Sequence, residues 1–280
     1  MSEPSQESIR ETCVAAFQHR GRAFSLRGYA PDDAIFQAIV AGHSFYEVDL
    51  LDYIRVITAP ERGPGAVAID IGANIGNHSV YFGAFVAERV LAVEPNPTVL
   101  PILRRNIECN VANVRLFDCA VGESDARGRV VMPVNAVDNM GMARIVTVDG
   151  GDATAIPVRT VDALVAELAS DGAAIGRVLV MKIDVEGMEL DVLKGARATL
   201  ERHRPHLFVE AWTAAELAAL RAHLGSAGYV VLQHWAATPV YHFAWQPRLA
   251  LRLRAALYTL LVKTGLRVAR VARALRRRLA

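Results

Sequence analysis

Apolar and polar positions follow two rhythms along this chain, and the rhythms alternate. Short, almost wholly apolar runs at 66–71, 89–93, 114–118, 178–184 and 207–210 read as strands buried on both faces. Between them, apolar residues recur every three or four positions over 75–87, 98–110, 161–169, 188–202 and 214–226, the spacing of amphipathic helices. In 98–110 the stripe is Leu100, Leu103 and Ile107. Residues 229–232 and 240–245 read as a closing hairpin. The stretch 127–161 mixes Val, Ile, Met and Thr with Gly, Asn and Asp, and reads as short antiparallel strands inserted into the main fold. Strand–helix alternation of this kind predicts an α/β fold with helices on a mostly parallel sheet.

Upstream, 1–30 is polar and reads as a weakly packed lead-in. Ile35, Ile39, Val48, Leu51, Ile54 and Ile57 predict two helices capping the domain's entrance. The Pro- and Gly-rich 60–65 is a loop. The expected division is a helical lead-in and cap at 1–65, a catalytic-type domain at 66–246 and a basic tail at 247–280.

With 280 residues, 52% of them hydrophobic, the chain can bury one full-sized core. Cys13, Cys109 and Cys119 show neither metal nor redox spacing, and the N-terminus lacks a basic start and apolar run. Both features make a reducing cytoplasm the expected location. The net charge of +2 conceals an asymmetry, since no acidic residue follows Glu216 while eleven of the 31 basic residues do. The body is acidic and the tail strongly basic, so the two are expected to meet different partners.

Candidate chemistry begins where the first core strand turns. Gly72 and Gly76 stand between strand and helix, where absence of a Cβ permits a sharp turn and close approach of a ligand. A dinucleotide would suit such a turn, but the spacing here is G-x-x-x-G, not G-x-G-x-x-G. Asp70 beside the turn would repel a pyrophosphate and attract an ammonium group, directly or through water. Glu94 ends the next strand, about 20 positions on, where an acid can accept from both hydroxyls of a ribose. Asp118 ends the third strand and is placed to accept from an adenine amino group. Ammonium, ribose and adenine are thus addressed by three consecutive strand ends.

These residues resemble the FkbM-type methyltransferases, a class I S-adenosylmethionine-dependent family. The likeness is carried by Ile69-Asp-Ile-Gly-Ala-Asn-Ile-Gly-Asn77, Val93-Glu-Pro-Asn96, Ala120-Val-Gly122, Thr160-Val-Asp162, Met181-Lys-Ile-Asp-Val-Glu-Gly-Met-Glu189 and Leu193-Lys-Gly195. It spans about 45–212, and Lys182 to Gly187 is its most specific part. The resemblance implies a seven-stranded Rossmann-like sheet with helices on both faces, and methyl transfer, commonly to a hydroxyl of a sugar, glycolipid or polyketide-type metabolite. It also implies a donor site at Asp70, Gly72, Asn74, Gly76, Asn77, Glu94, Pro95, Asn96, Asp118 and Ala120. It does not extend to 246–280.

Asp184 and Glu186 lie two apart at a strand end, so their carboxylates are expected on one face, with Glu210 of the next strand nearby. Three readings stay open. Asp184 or Glu186 is the base that takes the acceptor's proton; or both, with Glu210, hold Mg²⁺; or they pair with Lys182 and cap the following helix. His78, Tyr46-Glu47, the loop 138–141 and Trp212 are further cleft candidates.

In the tail, Leu253, Leu257, Leu260, Thr264, Val268, Val271, Leu275 and Leu279 form a stripe, with Arg252, Lys263, Arg267, Arg270, Arg273 and Arg277 mostly off it. This cationic amphipathic helix either lies on a membrane surface as a peripheral contact, docks on a second subunit or merely solubilises. Nucleic acid is not expected as a partner, because the core is acidic and the tail has little aromatic interleaving. The rival functions are N-methylation of protein or nucleobase, nicotinamide-dependent oxidoreduction, and a non-catalytic binding module.

Overall fold

The computed structural model describes residues 13–28, 33–131, 144–148, 154–171, 174–235 and 239–263. A hairpin of β1 (Val14–His19) and β2 (Arg22–Arg27) leads into helices α1 (Ala34–Gly42) and α2 (Val48–Thr58). Strand β3 (Ala66–Ile71), helix α3 (Asn77–Phe85), strand β4 (Arg89–Val93), helix α4 (Leu100–Asn110) and strand β5 (Val114–Phe117) follow in strict alternation. Next come β6 (Ala120–Val121), β7 (Ala126–Val131), β8 (Arg144–Thr147) and β9 (Ile156–Arg159). The chain continues through α5 (Val161–Ser170), β10 (Arg177–Ile183), α6 (Glu189–Lys194), α7 (Arg197–His203), β11 (His206–Glu210) and α8 (Ala214–Ser226). It ends in β12 (Tyr229–Trp235), β13 (Val240–Trp245) and α9 (Leu249–Lys263).

Seven strands form the main sheet in the order β12-β13-β11-β10-β3-β4-β5. β11, β10, β3, β4 and β5 are parallel, and β13 is antiparallel to both its neighbours. The strand order reverses between β3 and β10, the place where open α/β sheets form their ligand crevice. The expected insertion forms a second, four-stranded sheet in the order β6-β9-β7-β8.

Period-two alternation assigns the strand residues to two cores. Ala68, Ala92, Val180 and Phe208 face α1 to α4, α9 and the N-terminal hairpin. Ile69, Val93, Met181 and Val209 face α5 to α8. The same parity puts Asp70, Glu94, Lys182 and Glu210 on the first side, so charged groups gather where one layer ends.

Two expectations need correction. The lead-in is not weakly packed: Phe17 and Phe24 are buried and meet Phe45 with ring centroids 5.0 and 4.8 Å apart. Its edge is tied to α4, because Asn110 Oδ1 accepts from Ser25 N and Asn106 Oδ1 from Arg27 N at 2.9 and 2.8 Å. The helix over 188–202 is two helices, broken at Gly195, where a Cβ would stand 2.1 Å from the Gly122 carbonyl oxygen. The leucines of the tail stripe are turned to solvent: Leu253, Leu257 and Leu260 are exposed, while Ala255 and Tyr258 are buried against the body. Among the described residues no helix is long and apolar enough to cross a membrane.

Candidate active site

A cavity of about 270 Å³ opens at the carboxyl ends of β3, β4, β10 and β11. Its floor is the turn after β3. Gly72 adopts φ +79°, and a Cβ there would lie 1.8 Å from the Asp184 carbonyl oxygen. The glycine is therefore required by the close approach of β3 and β10, beyond any approach of ligand. Asp184 N donates to Ile71 O at 3.1 Å, which joins the two strand ends below the cavity. Gly76, at φ +88°, caps the N-terminus of α3.

The Glu94 carboxylate is held on both oxygens. Oε2 accepts from Asn74 N at 2.8 Å and Oε1 from Asn96 N at 2.9 Å. Burial pushes its pKa up to about 7, against the pull of these two amides. Glu94, Asn74, Pro95 and Ala120 line the cavity. Asn96 stands behind the wall, where its Oδ1 accepts from Thr98 N at 3.0 Å and shapes the loop.

Asn77 lines the cavity too, but its amide holds chain to chain. Oδ1 accepts from Tyr46 N and Nδ2 donates to Tyr46 O, at 2.9 and 3.0 Å. This clamp brings Tyr46 and Glu47 onto the rim, where His78 Nε2 lies 3.3 Å from Glu47 Oε2. The Tyr46 hydroxyl, partly buried beside Glu47 and Asp184, has its pKa pushed up to about 12.

Asp70 is wholly buried beneath the floor. Its Oδ2 accepts from Ser79 Oγ at 2.5 Å, while Oδ1 is buried with no hydrogen-bond partner. Asp118 is not brought to the cavity. Its side chain is 66% exposed and pairs with Arg104 at 3.2 Å, whereas its neighbour Cys119 turns inward to the wall. The strand ends at Phe117, so the alternation that would aim residue 118 inward no longer applies.

The opposite wall carries the remaining charge. β10 ends at Ile183, so Asp184 and Glu186 sit on a loop instead of a strand, with Glu186 left-handed at φ +55°. Both nevertheless line the cavity, together with Glu210. One ligand oxygen from each of the three lies within 4.8 Å of the others. The Lys182 ammonium, almost wholly buried, donates to Asp184 Oδ2 at 2.8 Å. Burial works against the Asp184 anion, but the Lys182 charge and hydrogen bonds from Lys182 and Glu210 hold its pKa below the usual range. Glu210, partly desolvated beside the Asp184 anion, has its pKa pushed up to about 9. At neutral pH the arrangement is an ammonium, a carboxylate and a carboxylic acid in series.

Sequence reasoning passed over Glu189. Its Oε1 accepts from Gly187 N and Val185 N at 3.1 and 3.3 Å, which fixes the loop that carries Glu186. The signal was an acid two residues past a glycine at a helix start. Met188, Val121 and Ile145 supply apolar wall. Trp212 is on the rim and 64% exposed. The loop 138–141 lies outside the described residues.

The methyltransferase FkbM domain matches residues 70–231. Methyltransferase 1 of Beauveria bassiana is 29% identical over 147 residues, 45% of this chain and 57% of that protein. Methyltransferase sdnD of Sordaria araneosa is 26% identical over 173 residues, 51% of this chain and 65% of that protein. The chain thus spans less than two thirds of either relative's length. The solved methyltransferase FkbM from Methylobacillus flagellatus superposes with a TM-score of 0.45 at 22% identity, covering 74% of this chain and 54% of that one.

Proposed function

The chain belongs to the FkbM methyltransferase family, and on that premise we propose that it transfers a methyl group from S-adenosylmethionine to a hydroxyl oxygen of a sugar, glycolipid or secondary metabolite. The observation that carries this reading is the acidic cavity at the strand-order reversal. Glu47, Glu94, Asp184, Glu186 and Glu210 face it, against Lys182 and His78. Such a lining attracts a positively charged adenosyl sulfonium and repels a pyrophosphate, which disfavours a nicotinamide cofactor.

The residues present fit the donor. Glu94 is fixed by two backbone amides with acceptor capacity left for two ribose hydroxyls. The buried, unpartnered Oδ1 of Asp70 supports its reading as the group that favours the ammonium, acting from under the floor. Asn74 and Ala120 shape the wall, and Gly72, Gly76, Asn77, Pro95 and Asn96 hold its frame. When bound, S-adenosylmethionine supplies an activated methyl group on sulfur.

The chain's own part is to orient the acceptor, exclude water and receive one proton. Asp184 is the proton acceptor in this reading, because Lys182 and Glu210 keep it ionised through the neutral range. Glu210, protonated, donates to Asp184 and prevents a second negative charge at the same place. Glu186 faces the cavity from the neighbouring turn and is placed to orient the acceptor hydroxyl.

The convergence of Asp184, Glu186 and Glu210 favours Mg²⁺ as a second reading, since carboxylate oxygens and water are its preferred ligands. The Lys182 ammonium already bonded to Asp184 opposes a second cation there, so the base reading is preferred. The test is formation of S-adenosylhomocysteine with a panel of glycosides and hydroxylated metabolites. Turnover on amine acceptors alone would replace the hydroxyl reading, and binding of NAD(H) in place of S-adenosylmethionine would end it.

A further inference from the structure

We infer that helix α9 is a fixed docking surface for an anionic lipid bilayer. Ala255 and Tyr258 are buried on the body, with Leu251 and Val262 packed beside them. The Tyr258 hydroxyl donates to Asp49 O at 3.2 Å, and its ring lies 5.5 Å from that of Tyr53. At about 100° per residue these four residues share one side, and Leu249, Leu253, Leu257 and Leu260 fall within an arc of about 80° on the other. Those leucines are 70, 60, 58 and 59% exposed, so one helix presents four large apolar side chains to solvent. A soluble surface seldom concentrates apolar groups in this way without a partner.

Charge selects the partner. Arg252 and Arg254 fall on opposite flanks of the apolar arc, about 100° to either side of its centre. Arg248 precedes the helix, and Lys263, Arg267, Arg270, Arg273, Arg276, Arg277 and Arg278 continue the basic series, with no acidic residue anywhere after Glu216. An apolar strip between cationic flanks suits acyl chains below a layer of anionic headgroups. A second copy of this chain would bring the same positive charge against itself, so self-association through this face is electrostatically opposed. The contact is interfacial, because no described helix is long and apolar enough to cross a membrane.

The test is flotation of the full chain with vesicles of phosphatidylcholine alone, or with about one third phosphatidylserine. The protein is expected to float with the anionic vesicles, to remain behind with the neutral ones, and to be released by raised salt. The double variant Leu253→Glu/Leu257→Glu alters only exposed positions and should partition at least about tenfold less at an unchanged thermal midpoint. Arg252→Glu, which leaves the leucines in place, should weaken binding to anionic vesicles alone. Absence of flotation with the anionic vesicles, or equal flotation of the double variant, overturns the proposal. So does a dimer in sedimentation velocity that the double variant abolishes while lipid binding is nil, which would assign the face to a second copy.

Discussion

Lys182 Nζ donates to Asp184 Oδ2 across 2.8 Å, from a lysine almost wholly buried to a carboxylate that opens on the cavity. The lysine sits opposite Asp70 in the β3–β10 register, so one buried cation serves an acid below the floor and another on the wall. Removing it leaves both anions uncompensated. Lys182→Met should destabilise the fold by roughly 3–5 kcal/mol, as breaking one side of a buried pair does. Urea unfolding checks this, and a midpoint equal to wild type would mean that the pair carries no structural charge balance.

The proposed roles of Asp184 and Glu210 differ in protonation, and substitution separates them. Asp184→Asn removes the proton acceptor and should lower kcat by about 10²–10⁴ with little change in donor affinity. Glu210→Gln imitates the protonated acid favoured at neutral pH and should stay within about tenfold of wild type. Glu210→Gln as inactive as Asp184→Asn would shift the base assignment to the pair or to Glu210.

Prolonged treatment with EDTA separates base from metal. The base reading expects methyl transfer to be unaffected, since Lys182 already supplies the cation that Asp184 requires. Activity lost to chelation and restored by Mg²⁺ would instead make Asp184, Glu186 and Glu210 ligands.

Gly72→Ala probes the floor independently of any ligand. The new Cβ would need to displace the Asp184 carbonyl, 1.8 Å away, at a φ of +79° that alanine tolerates poorly. A stability loss of more than about 2 kcal/mol is expected. A neutral effect would mean that β3 and β10 separate easily at the cavity.

The centre of the main sheet was legible because its strands are buried on both faces: 66–71 and 89–93 read as strands and match β3 and β4 residue for residue. The β1–β2 hairpin was not, because Phe17, Phe24 and Leu26 become apolar partners only once Phe45 and α4 lie over them. The tail stripe of Leu253, Leu257 and Leu260 was readable as a period but not as a direction. Which side of a helix is buried depends on neighbours such as Tyr53, which no local pattern encodes. In the cavity, Glu94 and Asp184 could be located by strand ends. The outward turn of Asp118 and the Asn77–Tyr46 clamp depend on loop geometry beyond those ends.

Glu94 gives opposite pH dependences for the free and the liganded protein. Burial pushes its pKa up to about 7 from the ordinary glutamate range, so the folded protein holds this proton more tightly than the unfolded chain. Its contribution to stability is therefore fully present at pH below the unfolded value and is lost as pH rises through about 7. Ribose hydroxyls donate to the ionised carboxylate, and a sulfonium favours it further, so donor binding draws the proton off. Donor affinity should consequently fall as pH drops below about 7, while the stability of the free protein changes in the other direction. Glu94→Ala should weaken donor binding by roughly 1–3 kcal/mol, and Glu94→Gln should flatten the pH dependence. Calorimetric titration of wild type and both variants between pH about 5.5 and 8.5 covers this window. A donor affinity in wild type that is independent of pH, or unchanged in Glu94→Ala, would remove Glu94 from the ribose site.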